Sequence, residues 1–250
     1  MIGGILRRTP LYRVYRNLRL GRELMRWTPA DQRAARFYAQ FLRAGDLCLD
    51  VGANVGRRTK VFRRLGAEVI AIEPQPGCAR VLRSRFPGVD VVEQALGAAS
   101  GRARLAVAES DTLSSMSPAW VRAVRTSGRF ARSHWSRSID VPVTTLDALL
   151  ARAGAPAFIK IDVEGYEDEV LRGLTRPVPA LSFEFTPEFL DGASRCFEHL
   201  ATLGKFRANY ALREDFVLQL PEWAPGRETL PILEGLGDTA AWGDVYVRFD

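Results

Sequence analysis

Four carboxylates stand at or near the ends of short apolar runs. Asp50 lies in Leu47-Cys48-Leu49-Asp50-Val51, just before Gly52-Ala53-Asn54-Val55-Gly56. Glu73 follows Val69-Ile70-Ala71-Ile72, and Phe158-Ile159-Lys160-Ile161 leads into Asp162-Val163-Glu164-Gly165. Runs of this length and apolarity read as buried strands, and ligands of open α/β sheets bind outside the carboxyl ends of strands. The four acids are therefore expected to share one site. An acid about 20 positions beyond a glycine turn can accept hydrogen bonds from ribose hydroxyls, and Glu73 has that spacing. Asp162 and Glu164 are candidates for taking a proton from a reacting hydroxyl. His134 is a third candidate, with Glu184 and His199 behind them. Glu164 serves equally as a helix N-terminal acid that satisfies backbone amides, and His199 reads as structural. Asp162 and Glu184, at the ends of neighbouring strands, have the oxygens to share a cation such as magnesium. No tight metal motif accompanies them, so metal dependence is the minority reading.

The nucleoside is narrowed by what the glycine turn lacks. A dinucleotide fingerprint starting at Gly52 needs glycines at 54 and 57, so that a pyrophosphate can approach the backbone and the helix N-terminus. Asn54 and Arg57 stand there instead. Asp50 would repel a pyrophosphate but attract an ammonium group. S-adenosylmethionine (SAM) has an ammonium, a sulfonium and a ribose and no phosphate, so the turn suits it better than a nicotinamide dinucleotide. The cofactor set read from these segments is Asp50, Gly52, Ala53, Asn54, Gly56, Glu73 and Pro74, with Gln94 and Ala95 at a third strand tip placed to read an adenine edge. A plain strand-to-helix turn with no ligand is the bland alternative.

Strand and helix patterns alternate around these residues, the order of a mostly parallel sheet covered by helices. Helices are expected over 56–65, 76–86, 146–150, 166–174 and 193–203. Further strands are expected at 89–93 and 181–185, a hairpin within 97–107, and antiparallel closing strands at 207–212, 216–220 and 244–249. The least regular stretch, 108–138, mixes Ser, Arg, Trp120, Trp135 and His134. It is expected to be a lid over the substrate mouth or a solvated insertion. Its arginines Arg122, Arg125, Arg129, Arg132 and Arg137, beside Trp120, Phe130 and Trp135, would suit an anionic or glycosidic partner.

A chain of 250 residues that is 47% hydrophobic can bury one substantial core. One domain over 37–250 is expected, preceded by a basic helical segment over 1–36. That segment carries arginines such as Arg7, Arg13 and Arg22 among Leu11, Val14 and Leu18, against only Glu23 and Asp31. Such a helix packs its apolar stripe on the domain or lies on an anionic membrane surface. No zinc-finger or RNP-like motif accompanies the charge of +6, so nucleic acid is not expected as a partner. Cys48, Cys78 and Cys196 lack metal or disulfide spacing. With no signal-peptide or membrane-span pattern, a soluble cytoplasmic protein is expected.

The chain resembles FkbM-type SAM-dependent methyltransferases. The likeness rests on DVGANVG at 50–56, IEP at 72–74, TTLD at 144–147, AFIKIDVEGYEDEVLRG at 157–173 and WGDVYV at 242–247. It implies a class I methyltransferase: a Rossmann-like, mostly parallel seven-stranded sheet with helices on both faces and an antiparallel last strand inserted in it. It also implies methylation of a hydroxyl on a sugar, glycolipid or secondary metabolite. Arg57 and Arg58 depart from the family pattern, which often has an aromatic or small residue there. A nucleotide-dependent oxidoreductase and a non-catalytic nucleoside-binding or RNA-associated protein are the rival readings.

Overall fold

The computed structural model describes residues 26–108, 113–127, 135, 137–236 and 242–250. In chain order these form α1 (Pro29–Tyr38), β1 (Leu47–Val51), α2 (Arg57–Arg64), β2 (Glu68–Ile72), α3 (Pro76–Arg85), β3 (Asp90–Val92), β4 (Ala95–Leu96), β5 (Gly101–Val107) and α4 (Pro118–Thr126). They continue as β6 (Arg137–Thr144), α5 (Leu146–Ala153), β7 (Phe158–Ile161), α6 (Glu167–Arg172), β8 (Ala180–Phe185), α7 (Leu190–Leu203), β9 (Phe206–Leu212), β10 (Ala224–Pro225), α8 (Gly226–Glu234) and β11 (Gly243–Phe249). The main sheet has the order β10-β9-β11-β8-β7-β1-β2-β3. Seven strands match the expected architecture, and the two-residue β10 adds an edge.

Alternation along the strands divides the core in two, because successive side chains point to opposite faces of a sheet. Leu49, Val51, Ile159, Ile161, Leu181, Phe183, Val245 and Val247 pack with Leu146, Val170, Cys196 and Leu200 of α5, α6 and α7. Cys48, Val69, Phe158, Ala180 and Tyr246 point the other way, onto Phe37 and Tyr38 of α1 and Val61 and Phe62 of α2. The same parity leaves Asp50, Lys160, Ser182 and Asp244 among the apolar residues of this second face. All three cysteines are buried and outside any disulfide.

Local signals explain most element boundaries. Thr28 and Asp31 form a reciprocal capping box around Pro29 at the start of α1. Thr145 caps α5, its hydroxyl accepting from the Ala148 N–H at 3.1 Å. Among the described residues no helix is long and apolar enough to cross a membrane.

Three expectations are corrected. Gly97 to Val107 is not a hairpin: β5 pairs antiparallel with β6, some 36 residues on in register Gly101↔Val143 and Val107↔Arg137. That pairing, with β4 parallel to β6, makes a separate small sheet, so Ala95 and Leu96 do not extend the third strand of the main sheet. Only β11 of the large closing strands is reversed against the core of the sheet. It runs antiparallel to both β8 and β9, which makes β9 parallel to β8. The stretch 216–220 is no strand and holds a single bridge, Ala211↔Leu218. Arg213 and Phe216, both at φ 56°, turn the chain sharply there.

Candidate functional site

A cavity of about 630 Å³ opens at the carboxyl ends of β1, β2, β7 and β8, within the range of small-molecule sites. Every cofactor candidate but Gly56 lines it: Asp50, Gly52, Ala53, Asn54, Glu73, Pro74, Gln94 and Ala95. Asp162, Glu164 and Glu184 line it as well, as do Leu105, Met116, Trp120 and Tyr166. The convergence expected of the strand-end acids is therefore present. His134, Arg129, Phe130 and Arg132 lie outside the described residues, as does the basic segment before Arg26.

The glycine turn is built by close approach. Gly52 has φ 79°, and a Cβ there would sit 1.8 Å from the Asp162 carbonyl oxygen. The turn after β1 and the end of β7 are thus pressed together, which places the cofactor-turn residues against the acids of the Asp162 turn. Gly56 caps α2 at φ 93° with no side-chain hydrogen bond, and a Cβ there would meet the Phe86 ring at 2.3 Å. Its role is to let α2 start against α3.

Glu73 is buried at the tip of β2. Its Oε2 accepts from the Asn54 N–H at 2.9 Å and its Oε1 from the Gln75 N–H at 2.8 Å. These two bonds fix the carboxylate at the cavity wall. Asp50 is buried on the second face, where its Oδ2 accepts from the Thr59 hydroxyl at 2.6 Å. Burial pushes its carboxyl up, and the Thr59 bond and Lys160 charge offset part of that.

Under the acids lies a cation that sequence reading passed over. Lys160 is almost fully buried; its Nζ is 2.8 Å from Asp162 Oδ2 and 3.6 Å from Asp244 Oδ1. Burial alone would lower its pKa, but the two carboxylates more than reverse this and hold the ammonium well above the usual lysine range. Its signal was a lysine in the all-buried strand Phe158–Ile161, since such a charge is retained only when paired.

The Asp162–Gly165 turn is held from three sides. Glu164 takes φ 57°, a left-handed conformation for a residue with a side chain, and its carbonyl accepts from the Ser115 hydroxyl at 2.6 Å. Gly165 has φ 80° and lies against Trp120, where a Cβ would come within 2.2 Å of the ring. Trp120, one of the three aromatics expected to meet a sugar, is buried in this contact and lines the cavity. Behind the turn, Glu167 Oε1 accepts from the N–H groups of Val163 at 3.0 Å and Gly165 at 3.2 Å. Glu167 is one of three acids in the first turn of α6, with Asp168 and Glu169; it is buried and clamps the turn.

Burial pushes the Glu167 carboxyl up from 4.5 to about 7, against the pull of its backbone hydrogen bonds. A folded-state pKa raised above the unfolded value stabilises the fold fully below the unfolded value and loses that contribution as pH rises through the folded one. Glu167 thus supplies on the order of 3 kcal/mol at pH 4 that is gone by pH 8. Glu167→Gln, which keeps an acceptor oxygen for both N–H groups, should flatten unfolding free energy between pH 4.5 and 7.5 by this amount. Equal pH slopes in the variant and the wild type, from urea titrations, would refute the assignment.

Asp162, Glu164 and Glu184 each offer a carboxylate oxygen, and these lie within 4.8 Å of one another. The Glu184 carboxyl is pushed well up, by burial first and then by Glu164 and Asp162. The arrangement can hold a shared proton or present oxygens to a cation. His199 stays structural, its Nε2 lying 3.0 Å from the Leu174 carbonyl oxygen.

The fold is shared with solved structures. A TehB-like SAM-dependent methyltransferase from Corynebacterium glutamicum is 10% identical and superposes with a TM-score of 0.51 over 97% of this chain and 100% of its own. A precorrin-6y C5,15-methyltransferase from Geobacter metallireducens is 11% identical over 87% of each chain, with a TM-score of 0.46. An O-methyltransferase from Bacillus cereus is 12% identical over 94% and 90%, with a TM-score of 0.45. At 10% identity the likeness to the first of these is one of fold. No curated protein matches the sequence. The family model for the methyltransferase FkbM domain, however, matches residues 50–210, from the Asp50 turn through β9. With that match over most of its length, the chain belongs to the FkbM family and is a SAM-dependent methyltransferase.

Proposed function

We propose that the enzyme methylates a hydroxyl of a sugar, glycolipid or secondary metabolite, with Asp162 or Glu164 as the general base. The observation that carries this reading is the placement of Asp162, Glu164 and Glu184 in the cavity that also contains the glycine turn and Glu73. The cavity fits the cofactor: the backbone at Gly52 leaves no space for a side chain, and Glu73 lies in the cavity wall at the tip of β2, where ribose hydroxyls would be received. When bound, SAM supplies a methyl group on a positively charged sulfur. Asp50 favours its ammonium, Glu73 its ribose hydroxyls, and Gln94 and Ala95 border the adenine. An alcohol is too weak an acid to react unaided, and Asp162 or Glu164 receives its proton. Leu105, Leu113, Met116, Trp120 and Tyr166 give the acceptor an apolar wall and exclude water around the reacting atoms. The segment 113–127 supplies part of that wall through Leu113, Met116 and Trp120, in keeping with a lid.

Purified enzyme, SAM and a panel of hydroxylated glycosides and polyketides test the reading by mass spectrometry. Methyl ethers formed in step with demethylated cofactor support it; transfer confined to amines overturns it.

The cluster of three carboxylates also favours a second reading, in which a divalent cation bound there lowers the hydroxyl pKa. Turnover lost on exhaustive chelation and restored by magnesium is its expected result. Turnover that survives chelation excludes it.

A further inference from the structure

The methyl-donor cavity is crowded with negative charge. Asp50, Glu73, Asp162, Glu164, Glu184 and Glu214 line it, against Arg57, Arg58 and Lys160. Lys160 is committed to Asp162 and Asp244. The amino-acid end of SAM nevertheless bears a carboxylate, which such a cavity repels unless a cation receives it.

Arg58 lines the cavity and carries the charge. It is the second residue of α2, directly after the Gly52–Gly56 turn, and Gly56 offers no side chain to the first N–H groups of that helix. Its Nη2 is 2.8 Å from Glu214 Oε1, and its guanidinium carbon lies 4.9 Å from the centre of the Phe216 ring. The Nε, by contrast, is buried with no hydrogen-bond partner among the described residues. Buried donors are seldom left in that state without a reason, and the guanidinium fork matches a carboxylate edge. Arg57 stands beside it, exposed, with Nη1 3.8 Å from the same Glu214 oxygen.

We propose that Arg58, with Arg57 beside it, binds the carboxylate of the cofactor, and that Glu214 and Phe216 hold the guanidinium ready. The left-handed residues Arg213 and Phe216 at φ 56° are what bring this loop over α2. The two arginines that depart from the family pattern thereby acquire a task. The assignment rests on this cavity being the SAM site.

Calorimetric titration with S-adenosylhomocysteine and with its carboxamide analogue, in which that carboxylate is neutral, tests it without knowledge of the acceptor. The wild type should bind the acid about 10-fold to 100-fold more tightly than the amide, the range of a charge-assisted pair. Arg58→Met should remove that preference by weakening the acid and leaving the amide within about twofold, and Arg58→Lys should restore part of it. Equal affinities on the wild type, or an equal loss of both ligands in Arg58→Met, overturns the proposal. The wild-type comparison stands even if Arg58→Met fails to fold. Absence of binding by both ligands on the wild type would instead strike the assignment of the cavity.

Discussion

Asp162→Asn is expected to lower kcat by about 10²-fold to 10⁴-fold, the range for losing a general base, with S-adenosylhomocysteine affinity retained. The substitution is nearly isosteric, and the asparagine oxygen can still accept from Lys160 Nζ, now 2.8 Å from Asp162 Oδ2. What it removes is charge. Lys160 is then left with Asp244 at 3.6 Å as its remaining carboxylate, and unbalancing a buried pair costs up to about 3–5 kcal/mol. A lower Tm is therefore expected alongside the lost turnover, and kinetics must be taken well below it. Glu164→Gln separates the two effects, because it leaves the Lys160 pairs with Asp162 and Asp244 in place. If Asp162 is the base, Glu164→Gln keeps most of its turnover; if Glu164 is the base, the pattern inverts. Full turnover in both variants, with the cofactor still bound, would remove these acids from the chemistry.

Gly52→Ala is the second large effect, and it acts on geometry rather than charge. The added methyl would occupy a point 1.8 Å from the Asp162 carbonyl oxygen, on a residue at φ 79°. Neither the backbone of the turn nor that of the β7 end can yield like a flexible side chain, so the two must separate. Left-handed strain adds about 1–2 kcal/mol. Loss of measurable S-adenosylhomocysteine binding is expected, together with a Tm decrease of several degrees. Gly77→Ala is the matched control: a Cβ there meets nothing within 4 Å, and binding should be unchanged. A Gly52→Ala protein that binds like the wild type would show that the contact is not needed for the site.

Which parts of the site were legible follows from the range over which each signal acts. Leu47–Val51, Glu68–Ile72 and Phe158–Ile161 show as strands because every residue after the first in each is buried, so apolarity alone marks them. Glu73 was legible through its distance from the glycine turn, a consequence of the length of one strand-helix-strand unit. The clamp made by Glu167 was not legible, because with Asp168 and Glu169 it forms an acidic helix start whatever lies behind them. Only the folded turn shows that two N–H groups aim at it. Trp120 looked like a surface aromatic among arginines. Its burial depends on Gly165, 45 positions away, being too small to keep the ring out. The pairing of β5 with β6 was hidden for the same reason: turn residues at 97–101 suggest a local partner, whereas the true partner lies beyond α4.

The inserted strand also bears on how the molecule is made. β11 lies between β8 and β9, although α7, β9, β10 and α8 separate β8 from it in sequence. Until Gly243–Phe249 has left the ribosome, β9 has no neighbour through which to join the sheet, and β8 presents an unpaired edge. Pairing across such sequence distances is slow, and unpaired edges in a nascent chain invite association with other chains. Asp244 arrives with the same strand, so Lys160 stays short of its second counter-charge until then. Synthesis of this enzyme therefore passes through a stage in which six parallel strand segments exist but neither the sheet nor its buried charges are complete, and during that stage chaperone dependence should be greatest.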